Sequence, residues 1–189
     1  NPAAPPPRDT PRYYGGRHYS DSYGATFNAL GPIGRTSQIE AELSVLAHRY
    51  QINPLQNGSA YNANIALDHA FSARLTSRLS ATATRQTARD AGYATRSFGG
   101  EMLLARQIGG QTVFGQLGAS RVIGDARLLL FPRERRDKRW DATIGVLMRK
   151  WQFFGLSPVI RLNWTRNHSS LDIYDFSRTR VEFALSREF

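Results

Sequence analysis

The sequence contains no cysteine, which excludes disulfide frameworks, cysteine-ligated zinc sites and thiol catalysis. It has no run of about 20 apolar residues, which a membrane-spanning helix needs. No Walker-type or dinucleotide-binding glycine pattern occurs. Lysine is also scarce, because only Lys138 and Lys150 stand among the 25 basic residues. The lack of a long apolar run does not exclude strands that cross a membrane, because only every second residue of such a strand faces lipid.

Proline is unevenly distributed, with five of the nine prolines in the first eleven residues. That density is typical of a polyproline-like linker or loop without its own core. We therefore expect residues 1–19 to form a proline-rich extracellular arm or loop, and residues 20–189 to form transmembrane strands. An alternative is that Arg12–Tyr19 forms a further strand.

Polar and apolar residues alternate along most of the chain, as where Ile39, Leu43 and Val45 alternate with Glu40 and Glu42. This period of two predicts strands with one apolar and one polar face. About nine strands are predicted, near residues 21–30, 36–48, 60–70, 78–88, 97–104, 112–120, 139–149, 160–165 and 180–189.

The predicted strands are unusually long, at roughly 10 to 15 residues against about 5 to 6 in globular proteins. Short connections alternate with longer polar ones, as periplasmic turns and outer loops do in outer-membrane barrels. The short ones lie near residues 31–35, 73–77, 108–110 and 154–156, and the long ones near 50–58, 88–94, 125–136 and 168–175. These features favour an antiparallel transmembrane β-barrel over a soluble sandwich or a lipocalin-like barrel.

The predicted strand number is odd, whereas single-chain bacterial barrels have an even number. The polar arm would also lie at the extracellular end of the first strand. We therefore expect this sequence to be the C-terminal part of a larger barrel, completed by an N-terminal fragment or chain.

Charged and amide side chains on the polar sides of the strands would face the barrel lumen. Both signs of charge occur, so pairing across neighbouring strands is expected, and direct contact with a client protein is the alternative. The lumen-facing candidates are Glu40, Glu42, Asn62, Asn64, Asp68, Glu101, Arg139, Asp141, Arg149, Arg161, Asn163, Arg180 and Glu182.

The net charge of +10 indicates a polyanionic partner. Arg133, Arg135, Arg136 and Lys138 cluster in one outer loop, where such residues bind lipopolysaccharide phosphates or remain solvated. The arginines are spread over lumen positions and loops, so nucleic-acid binding is not expected.

The last strand ends in an aromatic residue and has apolar residues at alternate positions before it: Val181, Phe183, Leu185 and Phe189. Such a strand is the form of C-terminal signal that the barrel-assembly machinery reads, since an amphipathic edge strand can be captured by strand addition.

The C-terminal third resembles one family. It reads Phe131-Pro-Arg-Glu-Arg-Arg-Asp137, then Gly155-Leu-Ser-Pro158, Trp164-Thr-Arg-Asn-His-Ser-Ser170 and Tyr174-Asp-Phe-Ser-Arg178. With the closing strand, this resembles the C-terminal barrel of the surface lipoprotein assembly modifiers (Slam). The resemblance covers roughly residues 120–189 and implies a barrel of about fourteen strands, preceded by tetratricopeptide repeats.

The resemblance implies a bacterial outer-membrane protein that helps surface lipoproteins or secreted proteins cross that membrane. A passive porin or a polysaccharide-export channel is the alternative. We expect no enzymatic activity and no cofactor, because the four histidines form no metal-ligand pair at i, i+4 spacing and the only histidine–serine–aspartate group lies within a single loop. The expected partners are the outer-membrane lipids and lipopolysaccharide, the barrel-assembly machinery and the client.

Overall fold

The computed structural model describes residues 12–14, 17–151 and 154–187. Ten strands form one antiparallel sheet, in which the order of strands in space is their order in the chain. The strands are β1 Arg12–Tyr14, β2 Arg17–Ile33, β3 Ser37–Tyr50, β4 Gly58–Ser72, β5 Leu75–Gln86, β6 Thr95–Ile108, β7 Gln111–Gly124, β8 Arg136–Leu147, β9 Leu156–Ser169 and β10 Phe176–Arg187. This confirms the predicted all-β antiparallel fold. In the described part of the chain, no helix has the length and apolar character needed to cross a membrane.

Nine of these strands are long, from 12 residues in β8 to 17 residues in β2, in keeping with the predicted strand number. The sheet begins earlier than the boundary expected at residue 19. β2 starts at Arg17, and the short strand β1 pairs with its first residues. The alternative of one further strand over Arg12–Tyr19 therefore holds only for Arg12–Tyr14.

Three of the four predicted short turns are confirmed, whereas the connection between β8 and β9 is eight residues long, as long as the loop at 87–94. The loops span residues 51–57, 87–94, 125–135 and 170–175, the short turns span 34–36, 73–74 and 109–110, and β8 is followed by β9 after residue 155. One of the two-residue turns, Gly109-Gly110, has positive φ at both residues. A two-residue hairpin turn of this type requires that conformation, which glycine adopts without strain. The last turn is longer than predicted, because β8 already ends at Leu147.

The strand register gives the sheet two chemically different faces, because residues paired across neighbouring strands share a face. On one face, which we call the apolar face, Leu79, Met102, Leu117 and Ala142 follow one another from β5 to β8. On the other, the polar face, one row across the strands consists of Asn28, Glu42, Asn64, Thr82, Gly99, Ser120, Arg139 and Asn167.

Exposure is distributed in the opposite way to that of a soluble domain. Large apolar side chains stand open, with Phe183, Phe27 and Leu117 exposed by 76%, 72% and 60%. The buried polar residues instead belong to the polar face: Ser44, Asp137, Ser157, Thr165, Asn167 and Ser169. The polar face is therefore the sheltered, inner side, and the apolar face is the outer side.

The sheet is open at both edges within the described residues. β10 pairs with β9 alone, over Phe176–Arg187. At the other edge β1 covers only the segment of β2 up to Ser20, so the longer part of β2 has a neighbour on one side only. The arrangement matches a segment of a barrel wall.

Candidate functional site: the polar face and the open edges

A branched ion pair joins three strands of the polar face. The guanidinium of Arg78 on β5 lies 2.5 Å from Oε2 of Glu40 on β3 and 2.7 Å from Oδ2 of Asp68 on β4. Its two N–H groups donate to two different carboxylates, a geometry that the fork of the arginine side chain allows. Arg78 thus bridges two carboxylates on adjacent strands and offsets one of their two negative charges.

A second group of polar contacts lies on β8, β9 and β10. Arg139 donates two hydrogen bonds of 2.8 Å to Asp141, which also accepts one of 2.7 Å from the hydroxyl of Thr165. On β10, Arg180 pairs with Glu182 at 2.8 Å. Arg139, Asp141, Thr165 and Arg180 border a depression of about 430 Å³ in the polar face.

Charge on the polar face differs between the two halves of the sheet. From β3 to β6 the face has four carboxylates and the single arginine Arg78. From β8 to β10 it has four arginines and three carboxylates. The polar face is therefore slightly acidic although the chain is strongly basic. Most of the positive charge must lie in the loops, the turns and the ends of the apolar face.

One aromatic residue interrupts the polar face for a packing reason. Phe114 on β7 is paired with Gly145 on β8, and a Cβ at Gly145 would lie only 2.4 Å from the Phe114 ring. The ring therefore covers the backbone that the glycine leaves bare, an arrangement known to stabilise glycines in sheets. The Arg161 guanidinium lies 5.9 Å from the centre of the same ring.

The long loops are held to one another and to the strand ends. Arg85 pairs with Asp125 at 2.5 Å across the loop end, and this hydrogen-bonded pair lowers the pKa of Asp125. Desolvation raises the pKa of Asp175, but hydrogen bonds from the Ser169 amide and His168 outweigh it and the pKa is lowered. The loop end is therefore an ordered rim rich in ion pairs.

Twelve of the thirteen predicted lumen residues lie together on the polar face. The exception is Arg149, which lies in the turn after β8. Among the described residues of the same face, sequence reasoning missed four acidic, basic or histidine side chains: His48, Arg78, Asp137 and Arg178. His48, Asp137 and Arg178 lie an even number of residues from predicted members of their strands, and Arg78 lies two residues from the polar Ser80, so the same alternation would have found them.

The basic loop residues occupy different environments from one another. Arg135 pairs with the buried Asp137 at 2.7 Å, and its guanidinium lies 3.9 Å from the centre of the Tyr174 ring. Arg136 pairs with Glu134. Arg133 is exposed in the loop, and Lys138 is exposed on the apolar face of β8. Two of the four predicted phosphate contacts are thus already engaged by carboxylates.

Three residues of the predicted C-terminal signal share the apolar face of β10. Val181, Phe183 and Leu185 are 55%, 76% and 61% exposed. They are paired with Leu162, Ile160 and Pro158 of β9, respectively. The fourth, Phe189, lies outside the described residues. β10 therefore presents both an exposed apolar row and an unpaired backbone edge.

Comparison with known proteins gives one match. A family model described as surface lipoprotein assembly modifier matches residues 9–189. The match covers nearly the whole chain and extends well beyond the C-terminal third that the sequence motifs cover. Neither the curated proteins nor the solved structures include a significant match.

Proposed function

This chain belongs to the surface lipoprotein assembly modifier family, and we propose that its sheet is part of an outer-membrane barrel that moves lipoprotein or secreted clients to the cell surface. The observation that carries the proposal is the reversed arrangement of the sheet, with an exposed apolar face, a sheltered polar face and two open edges. The exposed apolar face would contact lipid, and the sheltered polar face would line an aqueous path. The two open edges would pair with further strands.

The open edges support completion by other strands. In lipid an unpaired backbone N–H or C=O costs several kcal/mol, so membrane sheets close upon themselves. β10 is twelve residues long, and along one of its edges no described strand forms backbone hydrogen bonds with it. We propose that β2 and β10 pair with further strands of the same barrel, and that β10 is first captured by the barrel-assembly machinery.

The proposed route for the client is the polar face, and two glycines of β7 allow a matched test. A side chain at Gly118 would enter the depression, where the nearest atoms to its Cβ lie 3.7 Å or more away. Gly115 lies on the opposite, apolar face and has comparable space. We expect Gly118→Trp to obstruct the polar face and Gly115→Trp to leave it unchanged.

The assay is labelling of surface lipoproteins on intact cells with a membrane-impermeant biotin reagent. Deletion of the gene should remove at least one lipoprotein from the labelled set, and wild type and Gly115→Trp should restore it. Gly118→Trp should insert into the membrane yet restore less label. An unchanged labelled set after deletion would contradict the proposal.

A passive porin or polysaccharide-export channel is the second candidate, because a nearly charge-balanced polar face also suits a water-filled pore. Conductance of the purified protein in planar bilayers separates the two. A steady ionic conductance that Gly118→Trp lowers, together with an unchanged set of surface lipoproteins, would favour the passive channel.

A further inference from the structure

The apolar face is not uniformly covered by large side chains. Ala81 on β5, Gly100 on β6 and Ala119 on β7 are paired in sequence across the strands. They form the floor of a groove of about 770 Å³, beside which stand Phe98 and Trp140. This volume lies within the roughly 300–1,000 Å³ range of small-molecule sites. The groove is therefore large enough to hold a substantial part of an acyl lipid.

Two cations lie at the loop end of the groove. Arg121 on β7 and Lys138 on β8 are directly paired across the strands, and both line the groove. Both side chains are exposed on the outer side of the sheet. Like charges directly opposite each other destabilise a strand pair, and near lipid their cost increases. An anion between them removes that cost.

Two neighbouring arginines at this end of the sheet have carboxylate partners, whereas Arg121 and Lys138 have none among the described residues. Arg85 pairs with Asp125 and Arg166 with Asp175. Within residues 17–151 and 154–187, no carboxylate forms an ion pair with Arg121 or Lys138. The exposed Trp140, two residues from Lys138, is of the type that marks the membrane interface. The cation pair therefore stands at the depth of lipid headgroups.

We propose that this groove is a binding site for lipid A, with a phosphate between Arg121 and Lys138 and an acyl chain over Ala81, Gly100 and Ala119. The loops are at this end of the sheet, so the inference rests on the membrane orientation proposed above, in which the loops face the outer leaflet. Phosphate oxygens accept charge-assisted hydrogen bonds from both cations. The acyl chain covers apolar surface that no side chain of the described sheet covers.

The test is native mass spectrometry of the full-length protein released from detergent, titrated with lipid A. The variants are Arg121→Gln/Lys138→Gln, Ala81→Leu, which fills the groove at unchanged charge, and the loop control Arg89→Gln/Arg127→Gln, at two exposed arginines outside the groove. We expect the first to bind lipid A at least about tenfold more weakly, because hydrogen bonds to charged groups are lost. Ala81→Leu should weaken binding too, and the loop control should bind as wild type does.

Three results would overturn the inference: equal affinity in wild type and the Arg121/Lys138 variant, a preference for phosphatidylglycerol over lipid A, or displacement of lipid A by inorganic phosphate alone. Surface labelling of lipoproteins with the same variants separates this inference from the proposed function. Loss of lipid A binding with normal display leaves both standing. If lipid A binds normally but deletion of the gene does not change the surface display of lipoproteins, only the proposed function is contradicted.

Discussion

Replacing Leu117 by arginine distinguishes a lipid-facing from a water-facing sheet. Leu117 lies in the middle of β7, is 60% exposed and is paired with Met102 and Ala142 on the apolar face. On a water-facing surface the substitution changes stability by no more than about 0.5 kcal/mol. At the middle of a bilayer the same arginine costs about 2–4 kcal/mol, which is a factor of about 30 to 900 in the folding equilibrium.

The assay is urea unfolding of the full-length protein in phosphatidylcholine vesicles. Ile108 supplies the matched control, because it is 56% exposed on the same face but ends β6 at the turn. Ile108→Arg should cost only about 0–1 kcal/mol, since the penalty falls toward the interface. If Leu117→Arg fails to insert while Ile108→Arg inserts, the result also indicates that the middle of β7 faces lipid. Equal stability of both variants and the wild type would refute the reasoning.

Three further substitutions test the packing and the ion pairs by the same unfolding assay. Gly145→Ala should cost about 1–3 kcal/mol of stability through overpacking against Phe114. Gly115→Ala should be nearly neutral, because the nearest atom to a Cβ at Gly115 lies 4.0 Å away. Equal effects of the two substitutions would contradict this account of Phe114. Arg78→Gln should cost about 1 kcal/mol, and the exposed turn residue Arg74→Gln should cost less. The pKa of Asp125 is lowered from 3.8 by Arg85, so Asp125→Asn should be less stable than wild type at neutral pH. That difference should disappear as the pH falls through the lowered pKa, and a difference that persists there would exclude this ion pair as its cause.

The strands and their faces could be predicted because a period of two needs only the local sequence. Glu40, Asn64 and Arg139 illustrate this, since each lies on the polar face that its neighbours indicated. The partners could not be predicted so directly. Arg78 lies 38 residues from Glu40, and Phe114 covers Gly145 from another strand. Such pairs depend on register, which the alternation alone does not specify.

The loops could be located but not oriented from the sequence. Arg135 precedes β8 and has no periodic neighbours that would fix its side, so its bond to Asp137 and its contact with Tyr174 were not expected. Arg121 was not predicted as a phosphate contact, because it lies in a strand and its pairing with Lys138 appears only in the register. The groove on the apolar face was missed for the same reason, since its floor combines small residues from three strands.

The central claim, that the apolar face contacts lipid, is tested most directly by the fluorescence of Trp164. This residue lies on the apolar face of β9 and is 41% exposed. A variant in which Trp140, Trp151 and any tryptophan outside this sequence are replaced by phenylalanine leaves it as the single reporter. In vesicles, lipids brominated on the acyl chain should quench its emission strongly, and aqueous acrylamide should have little effect. Strong quenching by acrylamide and none by brominated lipid would contradict the account.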